Sequence, residues 1–293
     1  MDYTFTSTQV FDKHHVPEEL RQTESDNKII YHDALIDAAM QTTEDVEVFK
    51  HRNFAAQPIF LGFEPKKNVR GVGIIIYPGA FVKAEAYAPL AKALSQRGFH
   101  AAITSPVFKF QLFKPWQGKA VLEYKGWKNH PRAFTIAGHS AGGVAAAMFA
   151  DEDSTFHQKL AGLVLLASYP DDRTDLSSQT DLKVVSVHGT KDALTTQEKI
   201  DNSKSLLPAD TNFVRIEGGN HTQFYAAREG FVQQPTRFTV GDNPADILYE
   251  MQLSQVVEAC CSVMEDIAAE IQHEEDKKSD EEEEEDEEKK EEQ

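Results

Sequence analysis

Residues 135–143 read Thr135-Ile136-Ala137-Gly138-His139-Ser140-Ala141-Gly142-Gly143, an apolar segment that runs into a Gly-x-Ser-x-Gly pattern. The next seven residues are all apolar and mostly small, which predicts a helix. Glycines two residues either side of a serine leave room for a crowded turn between a strand and a helix. Such a turn lifts the hydroxyl out of the backbone, and the helix points free N–H groups towards it. The context therefore makes Ser140 a candidate nucleophile, although so short a pattern also arises by chance.

A nucleophilic serine needs a base, and the base needs a group that orients it. His188-Gly-Thr-Lys-Asp192 follows one later predicted strand, and Glu217-Gly-Gly-Asn-His221 follows the next. Because parallel strands end at one edge of a sheet, we expect Ser140, Asp192 and His221 to meet despite separations of 52 and 29 residues. His221 would then accept the serine proton and return it to the leaving group, while Asp192 orients the imidazole.

Two backbone N–H groups are expected to stabilise an oxyanion beside Ser140. One belongs to Ala141, the residue after the serine. The other is assigned to Ala80, in the turn Pro78-Gly79-Ala80-Phe81 that follows an apolar strand.

Other candidates fit the pattern less well. Three acids after the preceding strand remain a second choice for the orienting carboxylate: Asp171, Asp172 and Asp175. His188 is expected to point into the sheet or to support its own turn, and His139 to face away from the site. No HExxH, paired CxxC or P-loop motif occurs, so metal and nucleotide hypotheses lack support.

Strand and helix patterns alternate along the chain and predict an α/β fold. Apolar or alternating segments predict strands at 46–50, 58–63, 71–77, 100–104, 133–137, 162–167, 183–187 and 212–216. Helical spacing occurs at 84–97, at 197–207 and from 246 to about 273. We expect a mostly parallel sheet of about eight strands, opened by an antiparallel pair, with helices on both faces and no large cap.

Composition divides the chain into three parts: an N-terminal extension (1–45), one α/β domain (46–273) and an acidic tail (274–293). The tail has 14 acidic and 4 basic residues up to Glu292, so it carries −10 of the net charge of −18. With almost no apolar residues, it is expected to be disordered or at most a solvated helix.

The remaining composition argues against several partners. The mildly acidic body disfavours nucleic acid, which needs a basic surface. No apolar run reaches the length of a membrane span, and the N-terminus lacks a secretory pattern. The only cysteines, Cys260 and Cys261, are adjacent and cannot join distant segments. We therefore expect a cytoplasmic protein in a reducing compartment.

Several motifs resemble those of α/β-hydrolases, and more narrowly those of the dienelactone-hydrolase-related alpha/beta-hydrolase-fold-5 group. The similarity covers about residues 45–265. Its motifs are Tyr77-Pro-Gly-Ala-Phe-Val82, Gly138-His-Ser-Ala-Gly-Gly143, Leu165-Leu-Ala-Ser-Tyr-Pro170, His188-Gly-Thr-Lys-Asp192 and Glu217-Gly-Gly-Asn-His-Thr-Gln-Phe224. The resemblance implies a Ser/Asp/His hydrolase that uses no metal or organic cofactor.

Two aromatic segments, 107–132 and 224–238, are expected to roof the pocket because the link before residue 183 is too short for a cap. The candidate substrate-binding residues are Phe81, Phe108, Phe113, Trp116, Phe224 and Tyr225, although such aromatics are often simple core. We expect a hydrolase that cleaves a small-molecule carboxylic ester through an acyl-enzyme. Two alternatives remain open: a non-catalytic protein that binds a ligand or partner on the same fold, and a thioesterase or peptidase with the same triad.

Overall fold

A computed structural model describes residues 29–151, 160–234 and 240–291, and its centre is one eight-stranded sheet. The strands are β1 (Val46–Arg52), β2 (Pro58–Pro65), β3 (Val72–Tyr77), β4 (His100–Thr104), β5 (Ala133–His139), β6 (Leu160–Leu166), β7 (Lys183–Gly189) and β8 (Asn212–Ile216). They lie in the order β1-β2-β4-β3-β5-β6-β7-β8. The pairs β1–β2 and β2–β4 are antiparallel and all others are parallel. The predicted fold class is thus confirmed.

Helices cover both faces of this sheet. They are α1 (Asp33–Ala39), α2 (Ala88–Gln96), α3 (Lys119–Leu122), α4 (Ala141–Asp151), α5 (Gln197–Ser203) and α6 (Tyr249–Glu291). α2 and α6 belong to the apolar core on one face, and α4 belongs to the core on the other. Every residue of β3 and β5 is buried, as expected for strands covered on both sides.

The described part of the N-terminal extension packs next to the loop that follows His221. The N–H of His32 donates to the carbonyl of Ala226 at 3.0 Å, and the N–H of Arg228 donates to the carbonyl of Ile30 at 2.8 Å. α1 then buries Ile36 in the core. Residues 1–28 of the expected extension, and residues 235–238 of the expected pocket roof, lie outside the described residues.

The last helix, α6, continues into the acidic tail, which therefore takes the helical one of the two states expected from the sequence. It packs on the sheet through its first half and then continues through the acidic segment as far as Glu291. Glutamate and lysine favour helices, and oppositely charged pairs such as Lys277–Glu281 lie one turn apart. Within the part of the chain that the structure describes, no helix has both the length and the apolar character of a membrane span.

Candidate active site

Ser140 stands on a strained turn between β5 and α4. Its φ of +52° lies in the left-handed region, which residues with a side chain rarely adopt. The turn is held from the next strand, because the N–H of Ser140 donates to the carbonyl of Leu166 at 3.0 Å. The hydroxyl of Ser168 also donates to the carbonyl of Ser140 at 2.7 Å. Ser140 is partly exposed, so its hydroxyl is presented at the carboxyl edge of the parallel strands.

The glycines around Ser140 are needed because backbone segments meet here. A Cβ on Gly142 would lie well inside 3.0 Å of the carbonyl oxygens of Tyr77 and Pro78. A Cβ on Gly138 would meet the backbone of Gly142 equally closely. The first turn of α4 is therefore packed directly against the end of β3, which brings the Pro78–Ala80 turn beside Ser140.

His221 and Asp192 meet at the same edge of the sheet, as the sequence predicts. The Nδ1–H of His221 donates to Oδ2 of Asp192 at 2.9 Å, and both side chains are buried. The other oxygen of Asp192 accepts the N–H groups of Leu194 and Thr195 at 2.8 and 2.7 Å. These bonds fix the carboxylate and place the imidazole proton on Nδ1, which leaves Nε2 free to accept a proton.

The charges around His221 favour its protonated form. Burial alone would lower the pKa of His221. The negative charge of Asp192, the hydrogen bond from His221 to Asp192, and the negative charge of Asp242 raise the pKa and together outweigh burial. The pKa of His221 is therefore raised above its ordinary value. A base with a raised pKa accepts a proton more readily.

Ala80 and Ala141 follow the ends of β3 and β5 and offer backbone N–H groups. Among the described residues, neither group donates a hydrogen bond to another residue. The adjacent Phe81 has a φ of +63°, and its N–H donates to the carbonyl of Lys109 at 2.7 Å. The hydrogen bond from Phe81 thus anchors the turn, and the N–H of Ala80 remains available to donate to an oxyanion.

A buried pair, Tyr87 and His139, was not anticipated from the sequence. The hydroxyl of Tyr87 accepts the N–H of Gly79 at 2.9 Å and donates to Nδ1 of His139 at 2.7 Å. The ring of His139 lies 4.6 Å from that of His221, centre to centre, so His139 does not face away from the site. Burial, and then the nearby His221, hold the pKa of His139 well below its ordinary value. This neutral histidine links the Gly79–Ala80 turn to the candidate base.

The alternative acids make local contacts instead. Asp171 accepts hydrogen bonds from Arg173 and Thr174, Asp175 accepts one from Ser177, and Asp172 is exposed. His188 donates from Nε2 to the side chain of Gln197 at 2.8 Å, which supports its own loop. Over residues 29–151, 160–234 and 240–291, no three His, Cys, Asp or Glu side chains group as ligands for a metal ion.

Three of the aromatic rings form a row that starts at the Ala80 turn. Phe81 stacks on Phe110 with ring centres 5.8 Å apart, and Phe110 contacts Phe113 at 5.1 Å. Phe108 and Trp116, in the same connection, are 53% and 47% exposed. Phe81, Phe110 and Phe113 therefore form one apolar cluster next to the turn that carries Ala80.

Phe224 and Tyr225 lie in the core and do not line an open pocket, which corrects the expectation from the sequence. Phe224 is 3% exposed and stacks on His139, and Tyr225 is 1% exposed between Tyr31 and Tyr87. The short turn Thr222–Phe224 directs both rings inward, against the N-terminal segment and α2.

A model of the alpha/beta hydrolase family matches residues 73–247 of the chain. No curated protein matches the chain significantly.

Solved structures are similar at low identity. A predicted CIB-like hydrolase from Thermoplasma acidophilum is 12% identical, with a TM-score of 0.50 over 73% of this chain and 97% of that chain. An esterase from Pyrobaculum calidifontis is 15% identical, with a TM-score of 0.48 over 73% and 87% of the two chains. XC6422 from Xanthomonas campestris, described as a serine hydrolase without lid, is 16% identical, with a TM-score of 0.46 over 62% and 88%. At these identities, the likeness to the first structure concerns the fold.

Proposed function

The chain belongs to the alpha/beta hydrolase family, and we propose that it is a serine hydrolase that cleaves small-molecule carboxylic esters. The observation that carries the proposal is the 2.9 Å hydrogen bond from His221 Nδ1–H to Asp192. This bond lies at the sheet edge where Ser140 stands on a turn with φ +52°. A binding protein has no need for this combination of a strained serine and an oriented, buried histidine.

In the proposed reaction, the Ser140 oxygen attacks the ester carbonyl carbon while Nε2 of His221 accepts the hydroxyl proton. The N–H groups of Ala80 and Ala141 donate to the oxyanion of the tetrahedral intermediate. The C–O bond to the alcohol then breaks, and His221 gives the proton to the departing oxygen. A water molecule, deprotonated by His221, attacks the acyl-enzyme. The bond from the acyl carbon to the Ser140 oxygen then breaks, His221 returns the proton to that oxygen, and the carboxylic acid leaves. Asp192 stabilises the imidazolium in each half of the cycle.

An apolar acyl or alcohol group suits the surroundings of Ser140. The row Phe81, Phe110 and Phe113 begins one residue after Ala80, and its partly exposed members, Phe81 and Phe113, offer an apolar surface that starts next to this N–H donor. The described part of the 168–182 link contains no helix that could cover the site. We therefore infer small substrates of limited size selectivity.

A matched series of substrates tests this proposal. An ester, a thioester and an anilide with the same acyl group are offered to the wild type and to Ser140→Ala. We expect the ester to be turned over fastest by the wild type and not measurably by the variant. Each rate is compared with the uncatalysed hydrolysis of the same substrate. A larger acceleration for the thioester would identify a thioesterase, and a larger one for the anilide a peptidase. Equal rates for wild type and variant on all three would contradict the catalytic proposal.

A further inference from the structure

We propose that Asp242, together with Asn243, clamps the loop that carries Asp192 to the loop that carries His221, and so acts as a positioning residue. The clamp is a property of the two loops, and its effect on catalysis rests on the proposed function. Both residues lie in the irregular segment before α6, far along the chain from either loop.

The carboxylate of Asp242 contacts the residue after each member of the pair. Its Oδ2 accepts the N–H and the hydroxyl of Thr222, each at 2.8 Å. Its Oδ1 accepts the N–H of Ala193 at 3.3 Å and that of Asn243 at 2.9 Å. One side chain therefore bonds directly to the neighbours of His221 and of Asp192.

Asn243 contacts the residue before each member of the pair. Its side-chain amide donates to the carbonyl of Lys191 at 3.0 Å. Its main-chain carbonyl accepts a hydrogen bond from the side-chain amide of Asn220 at 2.7 Å. Asp242 and Asn243 thus bond to both residues that flank Asp192 and to both that flank His221.

This pattern has a physical reason. The Asp192–His221 hydrogen bond joins two loops at the ends of β7 and β8, and loops without such support move more than strands do. A carboxylate that accepts several N–H groups fixes both loops at once, because charged acceptors make the stronger hydrogen bonds. Positioning of this kind matters, since displacements of about 1 Å at a reacting group cost roughly a hundredfold in rate.

Asp242 also adds charge near the imidazole. The groups that face His221 are the carboxylates of Asp192 and Asp242, the ammonium of Lys199 and the neutral ring of His139. The two carboxylates raise the pKa of His221, whereas burial and Lys199 lower it. Removal of one carboxylate should therefore lower the pKa of His221.

The test compares Asp242→Asn with Asp246→Asn. Both variants remove one negative charge from the same segment, but Asp246 is exposed and its carboxylate pairs with the Lys191 ammonium, at 3.0 Å. An asparagine at 242 has one oxygen, so its amide must face N–H donors of one loop. His221 is titrated by ¹H–¹⁵N NMR, with His221→Gln for assignment, and kcat and KM for an ester are measured against pH.

We expect Asp242→Asn to lower the pKa of His221 and to reduce kcat at least about tenfold. The acid limb of the rate profile should shift with the NMR titration. Asp246→Asn should match the wild type in each measurement. Identical His221 titrations and identical kcat for the two variants would overturn the clamp.

The readouts separate this proposal from the proposed function. If the wild type cleaves no ester but the hydrogen-bonded Nδ1–H signal of His221 is lost only in Asp242→Asn, the clamp stands and the hydrolase proposal fails; an unchanged Nδ1–H signal overturns the clamp. Should Asp242→Asn not fold, Asn243→Ala decides: it keeps the charge and the bond from Asn220 to the main-chain carbonyl, and it removes the side-chain bond to the Lys191 carbonyl. If Asn243→Ala has a several-fold lower kcat and the acid limb of its pH–rate profile does not shift, the clamp is supported. A kcat equal to that of the wild type overturns it.

Discussion

Alanine at position 142 would test how closely the first turn of α4 and the Pro78–Ala80 turn are packed. The added methyl would lie well inside 3.0 Å of two backbone carbonyl oxygens, those of Tyr77 and Pro78, and real Cβ atoms essentially never come so close. Neither oxygen is the end of a flexible side chain. The helix and the turn that carries Ala80 must therefore move apart.

The size of the effect follows from that displacement. Restoring an ordinary contact requires a shift on the order of half an ångström or more between the N–H groups of Ala80 and Ala141. A misplaced oxyanion donor, or a shift of this size at the reacting atoms, lowers kcat by about ten- to a hundredfold. Helix propensity acts the other way, since Gly→Ala inside a helix stabilises it by roughly 0.5–1 kcal/mol. Overpacking costs about 1–3 kcal/mol, so we expect a modest net loss of stability.

The assay measures kcat and KM for an activated ester together with the melting temperature. Gly71→Ala is the control, because Gly71 has a φ of +72° and lies at the other edge of the sheet, beside the side chain of Arg132. It should lose stability but keep wild-type kcat. A Gly142→Ala protein that is more stable than the wild type and equally active would refute this account of the oxyanion turn.

Three further predictions concern other parts of the chain. Asp192→Asn should fold but lose on the order of a thousandfold or more in kcat, because an amide facing His221 Nδ1 favours the wrong tautomer; a loss below tenfold would contradict this role. Because the pKa of His221 is raised, the neutral base should be lost as the pH falls through a value above 6.5, and a kcat/KM profile flat down to pH 6 would argue against His221. Truncation after His273 removes the exposed Arg132–Glu275 ion pair, which is worth at most about 1 kcal/mol. It should therefore leave kcat/KM within about twofold of the wild type. A large fall in the melting temperature would show that the acidic segment stabilises the fold.

Most of the fold could be predicted because it depends on local patterns. β4 and β8 begin and end at the predicted residues, and the Asp192 and His221 loops follow their strands as expected. Each of these features is written into a short run of apolar residues that ends in a turn. The position of Ser140 follows from the same kind of signal.

The features that sequence reasoning missed depend on contacts between distant segments. Tyr87 reaches His139 across 52 positions, and Asp242 lies in a polar stretch without periodicity. Phe224 and Tyr225 are aromatic residues beside the candidate base, and nothing in their spacing tells core from pocket lining. Their burial depends on the N-terminal segment that packs against them.

Covalent labelling of Ser140 tests the central claim most directly. The full chain is treated with a fluorophosphonate, and the modified residue is located by peptide mass spectrometry, with Ser140→Ala and His221→Ala in parallel. The account predicts a phosphonyl adduct on Ser140 in the wild type and almost none in either variant, because the serine and its base act as a unit. A wild-type protein that stays unmodified, or that is modified equally in Ser140→Ala, would contradict it.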